Sequence, residues 1–499
     1  MKLSSYIFLV LLMCAPISVS AATSFEVTGW MPYWRSSSST KDVLPHLDLL
    51  TEVNPFVYTL KNDGTIVDNG KLTEEPWKSF ILAAKAKKVR VIPTIMSGSG
   101  ETLHRLLSNR TSRIALEDAI AALVKENNFD GIDIDFEGKK AETKDYFSLF
   151  LKGLYLRMGN KWVMCTIESR TPLDSRYYGA DIPKDATIYA NDFKEINKYC
   201  DRVRIMAYDQ QGIDQSLAAA AETNSEVYAP LADPRWVRKT VEVASKDIAK
   251  SKILIGIPTY GYEYEVTAYA NNQYMYKILW TFNPGWAYQI MAKYGVDSVR
   301  NSAGERHFTY THNPSEDQLL PRAIMPNSAM SAANAASMIA TAGNTNLKFR
   351  LVDWPDAQSI AGKIELAQIL GVRGVSIFKM DGGEDQGMWK ILEGVKGSAS
   401  FADAPTPALA NPLTRSLGLG ARHIEVRSLQ VILNSDPDTA VADSGAGSIG
   451  SETTTFGPAT ERAVKKFQVK YGIAKAGGSG YGYVGPATRA KLNTILETL

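Results

Sequence analysis

Short apolar runs alternate with segments of helical periodicity from about Phe25 to Leu392, and this alternation constrains the fold more than any other feature of the chain. Eight runs are predicted as strands: Glu26 to Trp30, Glu52 to Leu60, Val89 to Met96, Gly131 to Glu137, Trp162 to Glu168, Arg202 to Asp209, Ile253 to Tyr260 and Gly374 to Met380. Helices are predicted between them, at Trp77 to Lys87, Arg113 to Glu126, Lys144 to Met158, Pro234 to Ala249 and Ala357 to Leu370. Eight such units predict an α/β fold, a (β/α)₈ TIM barrel, rather than an open sheet.

The long gap from about Tyr262 to Phe349 predicts an inserted subdomain between the seventh and eighth strands. This subdomain could form one wall of a substrate groove.

The fourth predicted strand carries an unusual row of carboxylates, in the segment Asp130 to Glu137. Strict alternation puts Asp133, Asp135 and Glu137 on one face, with apolar residues on the other. Neighbours on one face of a strand lie roughly 6.6–6.8 Å apart, so ionising all three carboxyls in a partly dry cleft is unfavourable. A protonated carboxyl beside an ionised one is what acid catalysis needs.

Two other interpretations of these carboxylates stay open on the residues alone. Aspartates near strand ends often cap a following helix, and an oxygen-only ligand set suits magnesium or calcium. The other predicted strand ends offer few further carboxylates, and the five histidines, including His307 and His312, show no metal spacing. We therefore predict no metal and no cofactor.

The other predicted strand ends are rich in aromatic residues. Flat rings around carboxylates suit sugars, because a pyranose stacks its C–H face on a ring while its hydroxyls reach polar groups. Each ring taken singly is more often a core residue, so only their convergence indicates a binding site. The predicted substrate-binding rings are Trp30, Tyr33, Tyr58, Tyr260 and Phe378, whereas Trp354 and Trp389 are predicted to pack in the core.

These motifs resemble glycoside hydrolase family 18 across the whole predicted barrel. The segment from Asp130 to Glu137 matches the family's D-G-x-D-x-D-x-E, and Met206 to Asp209 matches its M-x-Y-D. Gly256 to Gly261 resembles the seventh-strand pattern, and Asp356 through Gly374 resembles the run into the eighth strand. Pro55-Phe56-Val57-Tyr58 is most similar to the cell-wall and spore-cortex branch.

The resemblance implies a retaining mechanism in which the substrate's own 2-acetamido group is the nucleophile. It implies that Glu137 protonates the glycosidic oxygen, that Asp135 orients the acetamido nitrogen, and that Asp133 shares a proton with Asp135. Tyr208 would hydrogen-bond the acetamido carbonyl, and Asp209 would hold the distorted sugar. Met206, from the same motif, would also bind substrate.

The chain departs from the family pattern in two places. Phe378 stands where the family usually has a tryptophan beneath the sugar, so the stacking area should be smaller. Ser97 to Gly100 matches the third-strand S-x-G-G only loosely and receives no catalytic role. Glu168 ends the fifth strand where a smaller residue is common, and its contact with substrate is left open.

The N-terminus predicts an export signal at residues 1–21, with Lys2, an apolar core and a small-residue cleavage site before Ala22. Uncleaved anchoring and lipid attachment through Cys14 are the weaker alternatives, and no membrane insertion is expected after cleavage. Cys165 and Cys200 then remain, and we predict two buried free thiols rather than a disulfide.

The barrel is predicted to span residues 22–396, with a linker at 397–412 and a small module at 413–499. Gly-Pro-Ala-Thr occurs twice in the module, at Gly457 and Gly485, each time opening a helix. The helices Glu425 to Leu433, Ala459 to Tyr471 and Ala487 to Leu496 predict a three-helix unit. Val426-x-x-Leu429-Gln430 and Phe456-Gly457-Pro458-x-Thr460 resemble the peptidoglycan-binding domain 1 family.

These observations predict a secreted or envelope-associated bacterial hydrolase that cleaves β-1,4 bonds after N-acetylglucosamine in peptidoglycan. The alternatives are a chitinase acting on another N-acetylglucosamine polymer and a non-catalytic glycan-binding protein. A formal net charge of +2 and 22% charged residues do not indicate nucleic acid as a partner. The protein is expected to be a monomer.

Overall fold

Eight parallel strands close into a barrel in which the first strand pairs with both the second and the eighth. The computed structural model describes residues 25–311, 332–396 and 412–496, apart from residues 225, 435, 437, 443–445 and 448–451. The barrel strands are Glu26–Pro32, Glu52–Leu60, Thr94–Ser97, Gly131–Phe136, Trp162–Glu168, Arg202–Met206, Ile253–Pro258 and Gly374–Phe378. The predicted (β/α)₈ barrel is confirmed. The predicted export segment and nearly all of the predicted linker lie outside the described residues.

Several barrel strands differ from their predicted bounds for local reasons. The third predicted strand divides into Arg90–Val91 and Thr94–Ser97, because Pro93 has no N–H for the ladder. The sixth strand ends at Met206, where the Ala207 amide turns back to bond the Ile205 carbonyl at 2.7 Å. The seventh and eighth strands likewise end two residues early. At each of these ends the chain leaves the barrel just where the site begins.

Helices cover the outside of the barrel. They are Ser36–Val43, Trp77–Ala86, Gly100–Ser108, Arg110–Glu126, Lys144–Met158, Leu173–Arg176, Phe193–Tyr199, Gln215–Thr223, Pro234–Ala244, Ala357–Leu370 and Gly387–Lys396. The helix predicted to start at Arg113 starts at Arg110, because the Asn109 side chain accepts the Ser112 amide at 3.0 Å and caps it. Within the described residues, no helix combines the length and the apolarity needed to cross a bilayer.

Charged side chains form a chain of ion pairs inside the barrel. Arg204 contacts Asp133 at 2.7 Å and also contacts Glu52, and all three side chains are fully buried. Arg90 continues the chain, 3.2 Å from Glu52 and 3.3 Å from Glu26. Each charge therefore has a partner of opposite sign, which offsets the cost of removing it from water. The chain runs from beneath the acidic row toward the opposite end of the barrel.

An antiparallel five-stranded sheet is inserted between the seventh and eighth barrel strands, as predicted. Its strands, in spatial order, are Tyr274–Phe282, Gly261–Ala268, Leu347–Trp354, Arg306–Tyr310 and Val299–Arg300. The helices Gly285–Tyr294 and Ala332–Gly343 belong to the same insertion. Trp354 and Trp389 are both buried, as expected of packing residues. His307 lies on one of these strands, and His312 lies outside the described residues.

Cys165 and Cys200 form a disulfide, so the prediction of two free thiols is wrong. Cys165 lies on the fifth barrel strand, and Cys200 lies two residues before the sixth begins. The Asp201 amide bonds the Val163 carbonyl at 2.7 Å, which brings the two chain segments side by side. The resulting Cα–Cα distance of 5.9 Å lies within the normal disulfide range. The sequence patterns of the helices and strands did not predict that these two chain segments lie side by side.

The C-terminal module contains three helices, Ile424–Asn434, Pro458–Lys470 and Pro486–Leu496, around its own apolar core. The two Gly-Pro-Ala-Thr copies play the same structural role. The Gln430 amide donates to the Thr460 hydroxyl at 2.8 Å, and the Gln468 amide donates to the Thr488 hydroxyl at 3.0 Å. In each copy a glutamine on the preceding helix fixes the threonine near the start of the next helix. The repeated residues therefore stabilise the module's fold.

An ion pair between described residues joins the module to the barrel. Arg427, on the first module helix, donates to Glu365 at 3.4 Å, and both side chains are almost fully buried. Glu365 lies on the helix Ala357–Leu370, whose residue Lys363 pairs at 3.3 Å with Glu305 of the insertion. This barrel helix is consequently linked to both the insertion and the C-terminal module.

Candidate active site

The acidic row lies at the carboxyl end of the fourth barrel strand. Asp133 and Asp135 point into the barrel and are 0% and 4% exposed. On the other face Phe136 stacks on Phe150 of the covering helix, with ring centroids 5.5 Å apart. Glu137 follows the strand directly, and its amide donates to the Ser97 carbonyl at 2.8 Å. The alternation that sequence analysis predicted is confirmed.

Asp133 is held at the floor of the site by hydrogen-bond donors. Its Oδ2 accepts from the Trp30 indole at 3.0 Å and from the Thr94 hydroxyl at 2.8 Å. Its Oδ1 accepts from the Thr166 hydroxyl at 2.9 Å and forms the ion pair with Arg204. Both oxygens are thus occupied by groups that suit a carboxylate anion. These four contacts therefore fix the Asp133 carboxyl group beneath Asp135, and the sharing of a proton between the two stays a prediction.

Asp135 is the most strongly perturbed of the three carboxyls. Burial raises its pKa well above the usual value, and the negative charges of Glu137 and Asp133 add to this effect. Its Oδ1 has no hydrogen-bond partner among the described residues, although it is buried. An unpaired buried acceptor is costly unless a ligand supplies a donor. This oxygen is positioned to receive an N–H group.

Glu137 is only partly buried, at the edge of the site. Burial raises its pKa, the charge of Glu168 raises it further, and Lys139 opposes both effects. A carboxyl with a raised pKa retains its proton closer to neutrality and can donate it. The described geometry therefore supplies one acid at the rim and a second carboxyl below it.

Tyr208 stands opposite the acidic row. Its ring stacks on Phe378 at a centroid distance of 5.6 Å and an interplanar angle of 14°. Burial, together with the charge of Asp135, raises its pKa well above 10, so the hydroxyl keeps its proton. A Cβ at Gly256 would lie 2.7 Å from the Tyr208 ring, so only glycine fits at that point of the seventh strand. Tyr208 is thereby a fixed hydrogen-bond donor.

Asp209 is oriented by two tyrosines. Its Oδ1 accepts from the Tyr260 hydroxyl at 2.5 Å and from the Tyr262 hydroxyl at 2.8 Å. Burial raises the pKa of Asp209, and these two hydrogen bonds lower it. Asp209 adopts a left-handed backbone conformation with φ of 59°, which turns the chain sharply after Met206.

The predicted aromatic residues fall into two groups. Tyr260 and Phe378 line an open cavity of about 440 Å³, and Tyr33 lies 37% exposed after the first strand. Trp30 and Tyr58 are 1% and 4% exposed and do not line that cavity. Trp30 instead donates to Asp133, and Tyr58 packs in the main core. Neither of these two rings presents a free face to a sugar.

Sequence reasoning missed much of the cavity wall. Asp209, Tyr260 and Phe378 were predicted and do line it. The other lining residues are Trp34, Arg35, Tyr262, Thr281, Phe282, Asn283, Lys379 and Asp381, of which Trp34 and Tyr262 belong to the aromatic residues expected at the strand ends. Three of these belong to the inserted sheet, whose path over the barrel no local pattern indicates. Lys379 donates to the Asn283 side chain at 2.8 Å and pairs with Asp381, which joins the insertion to the end of the eighth strand.

No group of three or more histidine, cysteine, aspartate or glutamate side chains in the described part of the chain is arranged to hold a metal ion. Burial lowers the pKa of His307 to about 4.

Comparisons with known proteins agree with this geometry. The model of the family described as Glycosyl hydrolases family 18 matches residues 28–383. The uncharacterized glycosylase YvbX of Bacillus subtilis is 26% identical over 225 residues, which cover 44% of this chain and 60% of that protein. The chain thus spans less than two thirds of that relative's length.

Solved structures share the same fold. The spore cortex-lytic enzyme SleL of Bacillus megaterium superposes with a TM-score of 0.54 at 20% identity, covering 75% of each chain. A chitinase from Chromobacterium violaceum gives a TM-score of 0.53 at 16% identity, covering 75% of this chain and 99% of that one. At these identities the likeness is one of fold.

Proposed function

Because the chain belongs to glycosyl hydrolase family 18, we propose that it cleaves β-1,4 bonds after N-acetylglucosamine in peptidoglycan by substrate-assisted catalysis. The observation that carries this proposal is the unpaired buried Oδ1 of Asp135 beside Glu137. An acetamido N–H is the donor that this oxygen lacks, and the group that bears it also bears the nucleophilic carbonyl.

Catalysis begins with proton transfer from Glu137 to the glycosidic oxygen. As that bond breaks, the acetamido carbonyl oxygen bonds to the anomeric carbon and forms an oxazolinium ion. Asp135 accepts the acetamido N–H and stabilises the positive charge, and Asp133 beneath it takes up the proton that the two carboxyl groups share. The Tyr208 hydroxyl donates to the carbonyl and aligns it for attack.

Water completes the reaction. Glu137, now ionised, removes a proton from water as the water attacks the anomeric carbon, which restores the acetamido group and the acid. Two displacements at one carbon retain its configuration. Asp209, held by Tyr260 and Tyr262, contacts the distorted sugar, and Phe378 stacks beneath it.

Three features support an exported enzyme that acts on the cell wall. Residues 1–21 have the pattern of an export signal, and the Cys165–Cys200 disulfide is typical of oxidising compartments. The C-terminal module resembles peptidoglycan-binding domain 1, and binding through it would raise the local concentration of glycan at the barrel. We propose that the protein acts as a monomer in this setting.

Replacing the acid tests the mechanism. Glu137→Gln should lower kcat by roughly 10²–10⁴-fold while glycan binding persists, because the amide cannot donate the required proton. Glu142→Gln, an exposed glutamate on the following turn, is the matched control and should keep full activity. Turnover by the Glu137 variant close to that of the parent protein would contradict the assignment.

The products test the substrate. Intact peptidoglycan and, separately, chitin oligomers are incubated with the mature protein, and released fragments are identified by mass spectrometry. Muropeptides that end in reducing N-acetylglucosamine are the expected result. Cleavage of chitin oligomers alone would show that the substrate is chitin rather than peptidoglycan.

A further inference from the structure

Glu168 contacts the turn that carries the catalytic acid. It lies at the end of the fifth barrel strand, and its side chain is 41% exposed. Its Oε1 accepts the Gly138 amide at 3.2 Å, and its Oε2 accepts the Asn191 side-chain amide at 2.7 Å. Gly138 is the residue directly after Glu137. The bond from Glu168 therefore restrains the backbone that sets the direction of the Glu137 side chain.

The same turn is packed tightly on its other side. The Glu137 amide bonds the Ser97 carbonyl at 2.8 Å. A Cβ on Gly100 would lie 2.2 Å from the Gly138 carbonyl oxygen, so the third-strand loop requires glycine there. Gly138 has φ of +62°, a conformation that glycine adopts without strain. The acid is thus held between the loop at Ser97 and the carboxylate of Glu168.

Lys139 places a positive charge behind the acid. Its side chain is 1% exposed, and its ammonium lies 3.8 Å from Glu168 and 4.7 Å from the centre of the Phe147 ring. The ammonium also donates to the Phe136 carbonyl. A carboxylate and an ammonium therefore flank Glu137, and each influences how firmly Glu137 holds its proton.

We propose that Glu168 is a positioning residue for the acid, which fixes the turn after Glu137 and, with Lys139, sets the pH range over which the enzyme works. This inference rests on the proposed role of Glu137 as the acid. Neither Glu168 nor Lys139 belongs to the D-G-x-D-x-D-x-E segment.

The charges around Glu137 determine the sign of the effect. Besides burial, which is the largest influence, the negative charges of Glu168 and Asp209 raise the pKa of Glu137, while Lys139 and the hydrogen bond with Asp135 lower it. The neutral Tyr208 faces the same site. Because Glu137 must be protonated to act, its pKa sets the alkaline limb of the kcat profile.

Two substitutions should move that limb in opposite directions. Glu168→Gln keeps an oxygen that can accept the Gly138 amide but removes the negative charge, so the alkaline limb should move to lower pH. Lys139→Met keeps the packing against Phe147 but removes the positive charge, so the limb should move to higher pH. Shifts in the same direction, or none, would overturn the electrostatic part of the proposal.

Glu168→Ala tests the restraint on the turn. Loss of both hydrogen bonds should lower kcat by roughly 10- to 100-fold below that of Glu168→Gln at each variant's optimum, with KM little changed, since a small displacement of a reacting group costs this much. Equal kcat values for the two variants would overturn the positioning role. Glu101→Gln, whose side chain is 80% exposed, is the control and should match the parent protein.

The experiment separates this proposal from the proposed function. Each variant is assayed on N-acetylglucosamine oligomers and on peptidoglycan, with its folding checked by circular dichroism and by its urea midpoint. Activity of Glu137→Gln close to that of the parent enzyme would overturn the proposed function itself. If Glu137→Gln is inactive but the pH profiles of the Glu168 and Lys139 variants match that of the parent enzyme, only this inference is overturned.

Discussion

Phe378 connects most of the aromatic residues of the site. Its ring stacks on Tyr208 and meets the edges of Trp30 at 5.7 Å and Tyr260 at 5.9 Å. A phenyl ring offers less stacking area than the indole usual in this family. The surrounding rings hold Phe378 in one orientation, so this smaller ring is still a well-ordered platform on which a sugar can stack.

Removing that platform should weaken substrate binding. Phe378→Ala is expected to raise KM for N-acetylglucosamine oligomers by about 5- to 30-fold, equivalent to about 1–2 kcal/mol of lost stacking and apolar contact. Tyr58→Phe should leave KM unchanged, because Tyr58 lies in the core and does not line the cavity. Steady-state kinetics on one oligomer decides both points, and a raised KM for the Tyr58 variant would place that ring in the site after all.

Sequence periodicity predicted the acidic row but not its neighbours. The alternation of Asp133 and Asp135 follows from strand geometry, which is local along the chain. The partner Arg204 lies 71 positions after Asp133, and only closure of the barrel brings the two charges together. Glu168 was recognised as unusual, yet its bond to Gly138 depends on the register between neighbouring strands.

At the scale of the strands and helices, local pattern located each barrel strand but not always its ends. The sixth and seventh strands end before the apolar runs do, because the turns that present Asp209 and Tyr260 begin there, and the eighth strand ends at Phe378 itself. The same limit explains the missed disulfide. Cys165 and Cys200 face each other only because the fifth strand pairs with the sixth.

The disulfide should contribute to stability through the loop that it closes. For a sequence separation of 35, the chain-entropy model gives about 3–4 kcal/mol at 25 °C. We expect the double variant Cys165→Ala, Cys200→Ala to unfold at a lower urea concentration than the parent. Reductant should lower the parent's midpoint toward that of the variant and leave the variant unchanged. Equal midpoints under oxidising conditions would show that the cross-link adds no stability.

At the scale of the whole molecule, one barrel helix connects three units. On Ala357–Leu370, Lys363 pairs with Glu305 of the insertion and Glu365 pairs with Arg427 of the module. Burial raises the pKa of Glu365, and Arg427 opposes that effect. Removing Arg427 would leave the buried Glu365 carboxylate without this partner, which is costly.

Breaking the pair should therefore loosen the module from the barrel. We expect Arg427→Ala to unfold in two separate calorimetric transitions where the parent protein unfolds in one. The double variant Arg427→Leu, Glu365→Leu should restore much of the docking, because it leaves no buried charge. Unchanged calorimetry in Arg427→Ala would show that the pair does not hold the two units together.

The ion-pair chain inside the barrel has a consequence for how such a protein can diverge. Asp133, Arg204, Glu52, Arg90 and Glu26 each have a neighbour of opposite sign, so replacing any one removes a partner from another charge that is largely buried. Single replacements along the chain are then penalised, while paired replacements can be neutral. Proteins that diverge from this one should therefore keep the ion-pair residues beneath the acidic row together. Their sequence changes should accumulate in the loops and in the insertion above that row.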